Sequence, residues 1–391
     1  MRNIKYIAII IILSITITLP YILLKGYLRT KEIKGQSITL EKDLTKPLPK
    51  LDSIQETKEQ RILKEMTPEQ KVGQLFIFGI DDINLTKETN TFLTENHIGG
   101  ILLLGKNITD EKQLKALIQN IQKEKDIPLF ISIDQEGGVV SRIKWNEKLT
   151  IAQNEISNSK QAYTVAKDRG EILKDLGINM NLAPVVEYIT DRNSFMYNRV
   201  YRGTINEVYE KGISSIQGYT DSGIIPVIKH FPGHSNTSPD SHYSLPIVNI
   251  NTDQWNEYLQ PFSKILEQSN VDAIMIGHIK FPNIDSNPAT ISKEIITNKL
   301  INDLKYNGLI ISDDMEMDAL ENIDSYTNIA KQAITAGNDI LIYSKYSKEH
   351  PTIQKDIYDY ILNEVKSNGL NIDDKVLKIL RMKIKYNIIN N

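Results

Sequence analysis

Of the chain's six histidines, three stand close together, at His230, His234 and His242. Lys229 precedes them and Asp240 falls between the last two, so this is the densest set of proton-handling groups in the chain. An imidazole has an ordinary pKa of about 6.5 and can give up and take back a proton near neutrality. Pro232, Gly233 and Pro239 prevent a regular helix or a central strand through this stretch, which therefore reads as a loop. It follows the apolar run Ile224-Ile-Pro-Val-Ile228, a buried strand by pattern. Loops held by a rigid scaffold are where chemistry tends to sit. A histidine-rich loop can also be a surface turn with no task, so the other strand ends decide the matter.

Those ends carry polar groups too. Leu129-Phe-Ile-Ser-Ile-Asp134 ends in a carboxylate, with Gln135, Glu136 and Arg142 beyond it. Asn181-Leu-Ala-Pro184 leads toward Arg199, Met275-Ile-Gly-His278 ends in histidine, and Leu309-Ile-Ile-Ser-Asp313-Asp314 ends in two carboxylates. A single Asp or Ser at a strand end often only caps the next helix. Several in register converge on one mouth. Three chemistries could use such a set. Metal-dependent hydrolysis would take His230, His234 and Asp240 or His278 as ligands, but the i, i+4 histidine spacing serves a metal on a helix, and Phe231-Pro-Gly233 prevents one here. A serine nucleophile lacks its Gly-x-Ser-x-Gly elbow. Glycoside hydrolysis needs a carboxylate near the anomeric carbon and a proton donor for the departing oxygen.

The elements that would position these groups follow a simple alternation. Apolar runs rich in Ile, Val and Leu occur at Val72–Ile80, Gly99–Leu104, Leu129–Asp134, Ile178–Pro184, Ile224–Phe231, Ala273–His278, Gly308–Asp314 and Asp339–Ser344. Helical periodicity fills Glu111–Lys123, Lys160–Leu176, Ile205–Ser222, Thr252–Gln268, Lys293–Tyr306 and Ser325–Ala336, and two further helical segments, Pro351–Ser367 and Asp373–Tyr386, close the chain. Strands buried on both faces and alternating with helices predict an α/β fold, a single (β/α)8 TIM-like barrel, in preference to an open doubly wound sheet. In such a barrel the active site forms at the C-terminal ends of the strands.

Composition narrows the class. The chain has 391 residues and a formal net charge of -3, so no basic field points to a nucleic-acid partner. With 0 cysteines, disulfides and thiolate metal sites are excluded. Arg2 and Lys5 precede a charge-free run from Tyr6 to Leu24, close to the length of about 20 apolar residues that spans a bilayer as a helix. No Ala-x-Ala cleavage site follows it. Residues 1–24 are therefore expected to be a hydrophobic membrane helix, 25–59 a polar tether with Pro47 and Pro49, and 60–391 the barrel. The expected placing is membrane-anchored with the barrel outside the cytoplasm, or secreted if the N-terminal segment is cleaved. Lys25, Arg29, Lys31 and Lys34 follow the span and rival the charges before it, so the positive-inside rule does not orient it.

Lys229-His-Phe-Pro-Gly-His234, with Asp240-Ser-His242 after it, resembles the signature loop of family 3 glycoside hydrolases in the β-N-acetylglucosaminidase branch. Lys71-Val-Gly-Gln-Leu75, Ile98-Gly-Gly-Ile-Leu102, Ile133-Asp-Gln-Glu-Gly-Gly-Val139, Leu176 to Pro184, Pro288-Ala-Thr-Ile-Ser292 and Ile311-Ser-Asp-Asp-Met-Glu-Met317 are similar to the family's other blocks, in family order, from about Thr67 to Lys385. The resemblance implies that Asp313 is the nucleophile, that His242 is the acid/base and that Asp240 orients it. It implies that Asp134, Arg199, Lys229 and His230 hold the sugar, with His234, His278 and Arg142 in supporting positions. A carboxylate on the far nitrogen of an imidazole fixes its tautomer and steadies its cation. The Asp-Ser-His element argues against the β-glucosidase branch, which takes its acid from elsewhere. Two departures stand out: Ser235 where the family usually has Gly, and Glu187 where it usually has Asp after Ala-Pro-Val.

What the resemblance implies is a retaining exo-β-N-acetylhexosaminidase that uses no metal or cofactor and releases terminal N-acetylglucosamine from peptidoglycan-type glycans. The competing expectation is a membrane-tethered barrel that binds wall glycans without cutting them. Binding alone needs neither a nucleophile nor an imidazole–carboxylate pair.

Overall fold

The computed structural model describes residues 56–389 apart from 82, 124, 237–239, 322 and 345–350. The expected membrane helix and nearly all of the tether lie outside the described residues. Among the described residues no helix is long and apolar enough to cross a membrane. The compact unit containing the barrel runs from Thr57 to Asn391. It begins slightly before the expected Gln60, because Thr57 caps a helix over Lys58–Glu65 whose third residue, Gln60, bonds back to the Thr57 N–H at 2.8 Å.

Eight parallel strands close into a barrel: β1 (Phe76–Gly79), β2 (Gly100–Leu103), β3 (Phe130–Ile133), β4 (Met180–Asn181), β5 (Ile225–Phe231), β6 (Ala273–Ile276), β7 (Leu309–Asp314) and β8 (Ile340–Tyr343). Each pairs with its neighbour in sequence, and β8 returns to β1 with Phe76 opposite Leu341 and Phe78 opposite Tyr343. The open doubly wound sheet is thereby ruled out. Nearly every strand residue is buried, since one face fills the interior and the other packs under the helices, which is why the runs read as continuously apolar.

Several elements differ from the expected bounds. The run Val72–Ile80 splits: Pro68–Gly73 is helix, capped by Thr67 with Pro68 in the first turn, and the strand starts only at Phe76. The strand expected over Ile178–Pro184 is reduced to β4, because the Ala183 N–H turns back to the Asn181 carbonyl at 2.8 Å. Thr252–Gln268 is broken into pieces at 252–254, 255–258 and 260–268, with Pro261 opening the last. The segment Glu294–Asp303 is wound wider than an α-helix, with the Leu304 N–H reaching back to Lys299 at 3.0 Å.

Candidate active site

The strand ends meet around a cavity of about 210 Å³ at the C-terminal mouth. Asp134, Arg199, Lys229, His230, His242 and Asp313 all line it, each delivered from a different strand end or loop save the Lys229–His230 pair. Asp240 lies behind His242, its Oδ1 2.7 Å from His242 Nδ1. The structure therefore gathers all seven expected residues at one site. Its volume lies below the ~300–1,000 Å³ of drug-sized pockets, which suits one terminal sugar unit better than a length of chain.

Asp313 is the penultimate residue of β7, and its Oδ1 accepts the Asp314 N–H at 2.8 Å. Burial works to raise its pKa, but the His230 and His278 imidazoles, that N–H and the Lys229 ammonium outweigh it and hold the carboxyl below its usual range. An ionised carboxylate is what a nucleophile at this position needs. Asp314 behaves differently. Burial raises its pKa, and its oxygens face the Ser344 N–H and hydroxyl, tying β7 to the end of β8. His278 is fully buried, with Nε2 2.8 Å from the Asp314 carbonyl and Nδ1 2.6 Å from Thr290 Oγ1. It props the backbone under Asp313, in keeping with a supporting place.

The cationic wall depends on Glu136, to which the sequence reading gave no role. Arg199 grips it with two hydrogen bonds, Nε to Oε2 at 3.0 Å and NH2 to Oε1 at 2.7 Å. Lys229 Nζ sits 2.7 Å from the same Oε1 and donates to Asp134 Oδ1 at 2.6 Å. Burial opposes the charge on Glu136, yet these two cations bring its pKa down to about 2. The pairing joins residues 63 apart in the chain, so no local pattern marked it. Its one visible signal was a carboxylate set between a strand end and Gly137-Gly138. Gly137 has φ +94°, and a Cβ there would meet the Ile151 carbonyl at 2.0 Å, so the hairpin that carries Glu136 requires the glycine. Arg142 and His234, both expected in supporting positions, also line the cavity, Arg142 with NH2 3.4 Å from Asp134 Oδ2.

A second layer lies beneath His230. Glu187 Oε1 accepts from His230 Nδ1 at 2.8 Å and from His234 Nδ1 at 3.2 Å, and the backbone N–H groups of both histidines also point to this carboxylate. Burial takes the His230 pKa down to about 4, leaving a neutral ring whose Nε2 faces Arg199 NH2 at 3.5 Å. These three residues are the described group best able to present donors to a metal ion. Every carboxylate oxygen already accepts a backbone N–H, so the cluster is a satisfied hydrogen-bond hub and not an open ligand set.

A parallel barrel whose mouth sets a buried ionised aspartate beside a cation-lined, sugar-sized cavity and an imidazole–carboxylate pair has the build of a glycoside hydrolase. Residues 67–382 match the glycosyl hydrolase family 3 N terminal domain, and the chain belongs to that family. It is 28% identical to the beta-hexosaminidase A of Pseudoalteromonas piscicida over 332 residues, covering 77% of this chain and 56% of that protein. It is 30% identical to a beta-hexosaminidase of Actinobacillus pleuropneumoniae serotype 5b, covering 68% of this chain and 80% of that one. Among solved structures it is similar to a family 3 beta-N-acetylglucosaminidase from Paenibacillus sp. str. FPU-7, with TM-score 0.77 and 32% identity over 83% of this chain and 64% of that one. A beta-N-acetylglucosaminidase from Thermotoga maritima aligns with TM-score 0.70 and 26% identity, covering 80% of this chain and 66% of that one.

Proposed function

We propose that the protein is a retaining exo-β-N-acetylhexosaminidase in which Asp313 and His242 do the chemistry. The observation that carries this is their common cavity: a buried carboxylate kept ionised on one wall and an imidazole backed by Asp240 on another. Asp134, Arg199, Lys229 and His230 hold the terminal sugar's hydroxyls. In the first step an Asp313 oxygen bonds to the anomeric carbon as the glycosidic bond breaks, and the departing oxygen takes the Nε2 proton of His242. In the second, water gives a proton to His242 and its hydroxyl to the anomeric carbon, releasing Asp313. Asp240 on Nδ1 steadies the imidazolium in the protonated stages.

The names of the relatives support the 2-acetamido sugar, and the small cavity supports cleavage from a chain end. Residues 1–24 serve as a membrane anchor and place the barrel outside the cytoplasm, where N-acetylglucosamine of peptidoglycan is the available glycan; the charge-free run between Lys5 and Lys25 supports this. The test is turnover of aryl β-glycosides with and without the 2-acetamido group. Cleavage confined to the N-acetylglucosaminide, first product β by proton NMR, and loss of at least about 1,000-fold in kcat for Asp313→Asn are expected. An initial α-anomer, or wild-type turnover by the variant, overturns the mechanism.

A further inference from the structure

The imidazole–carboxylate pair is carried on an exposed turn, and what holds that turn over the cavity is a separate question from what it does there. The side chains of His242 and Asp240 are 57% and 28% exposed, whereas Ser241 between them is 2% exposed and turned inward to the cavity wall, which it lines together with His234. The Asp240 carboxylate accepts the His242 N–H at 3.0 Å, and the Tyr243 and Ser244 N–H groups bond to the Asp240 carbonyl. These bonds shape the turn but attach it to nothing else. Among the described residues, the hydrogen bond that ties positions 240–244 to the barrel is the one between Ser241 Oγ and His234 Nε2, at 3.2 Å.

His234 is itself fixed. It is 1% exposed, and its Nδ1 faces Glu187 Oε1, which orients the ring and leaves Nε2 to pair with the serine hydroxyl. The same Glu187 oxygen holds Nδ1 of His230, which lines the sugar cavity. One buried carboxylate thus connects a sugar contact to the turn bearing the acid/base pair. We propose that Glu187, His234 and Ser241 form a latch that holds the Asp240–His242 turn over Asp313, and that they are positioning residues for the proton-transfer steps. Glu187, one methylene longer than the usual aspartate, is the hub of this latch.

The inference rests on His242 being the acid/base, and the experiment separates the two. Steady-state rates are measured for wild type, Ser241→Ala, Ser241→Thr and His242→Ala on a dinitrophenyl N-acetyl-β-glucosaminide, whose leaving group needs no proton, and on a disaccharide, whose leaving group does. Losing one hydrogen bond that orients the turn is expected to lower kcat/KM of Ser241→Ala for the disaccharide about 5- to 10-fold. For the dinitrophenyl substrate kcat/KM should change less than about twofold, because it reports the first step alone. Ser241→Thr, which keeps the hydroxyl, restores the disaccharide rate. Equal losses on both substrates would make Ser241 a merely structural residue. Wild-type rates on both, with the split still present in His242→Ala, overturn the latch alone. Absence of the split in His242→Ala overturns the acid/base reading, and the latch with it.

Discussion

At the scale of single residues, the site is a balance of buried charges, with Glu136 at its centre. Arg199 and Lys229 are both buried cations held by this carboxylate, and Asp134 shares the second of them. Removing one partner of a buried ion pair costs more than the pair itself contributes, because the other charge stays behind without compensation. Glu136→Gln should therefore destabilise the fold by about 3 kcal/mol in urea unfolding and raise KM for the aryl substrate, leaving the anomeric outcome unchanged. Unaltered stability would show that Asp134 alone suffices for both cations. The contrast with what the sequence displayed is physical. Asp313, His242, Asp240 and Lys229 were legible because each lies in a motif read along the chain. Glu136 acquires its importance from partners far away in sequence, and Arg142 from the direction of its side chain into the cavity. Neither property is written in local order.

At the scale of elements, alternation of apolar runs and helical periods was enough to give eight strands in the right sequence. It failed where a boundary is set by capping or by proline. Thr67-Pro-Glu-Gln70 carries both halves of a capping box, with Thr67 Oγ1 accepting the Gln70 N–H at 3.3 Å and Gln70 Oε1 accepting the Thr67 N–H at 2.9 Å. The signal was present, but Val72 and Leu75 extended the following apolar run backward across the helix. Gly73 closes that helix against the Asn96 and His97 carbonyls, leaving no room for a Cβ. Thr67→Ala should cost about 1 kcal/mol, read as a lower urea midpoint with the slope unchanged. No change in the midpoint would mean that packing of Val72 alone holds the helix.

At the scale of the whole molecule, the barrel's first and last segments are bound to each other. Beyond the pairing of β1 with β8, Lys71 meets Asp373 at 2.8 Å and Arg381 meets Glu59 at 3.0 Å, both across the outer surface. Lys383 is fully buried and donates to Gln74 Oε1 at 2.7 Å and to the Gly99 carbonyl at 2.9 Å. Burial pushes its ammonium down to about 7 from 10.5. Between those values the unfolded chain holds a proton that the folded chain has released, so stability rises with pH across that window. The buried charge is thus a penalty at and below neutrality that fades on the alkaline side. Melting temperature should climb from pH 7 to pH 10 in the wild type, and Lys383→Met should flatten the climb. An equally steep rise in the variant would assign it to other groups.

Lys383 belongs to Asp373–Lys385, the last described helix, and its partners flank the first two strands. A ribosome delivers Gln74 and Gly99 long before the side chain that caps them. Until β8 emerges, the growing chain holds a sheet with one edge of β1 bare, the kind of surface that chaperones shield, and until that helix follows, Gln74 and Gly99 lack the side chain that caps them. Any nascent chain halted before Lys383 is therefore a ring without its clasp, open to aggregation and proteolysis however complete its catalytic residues are.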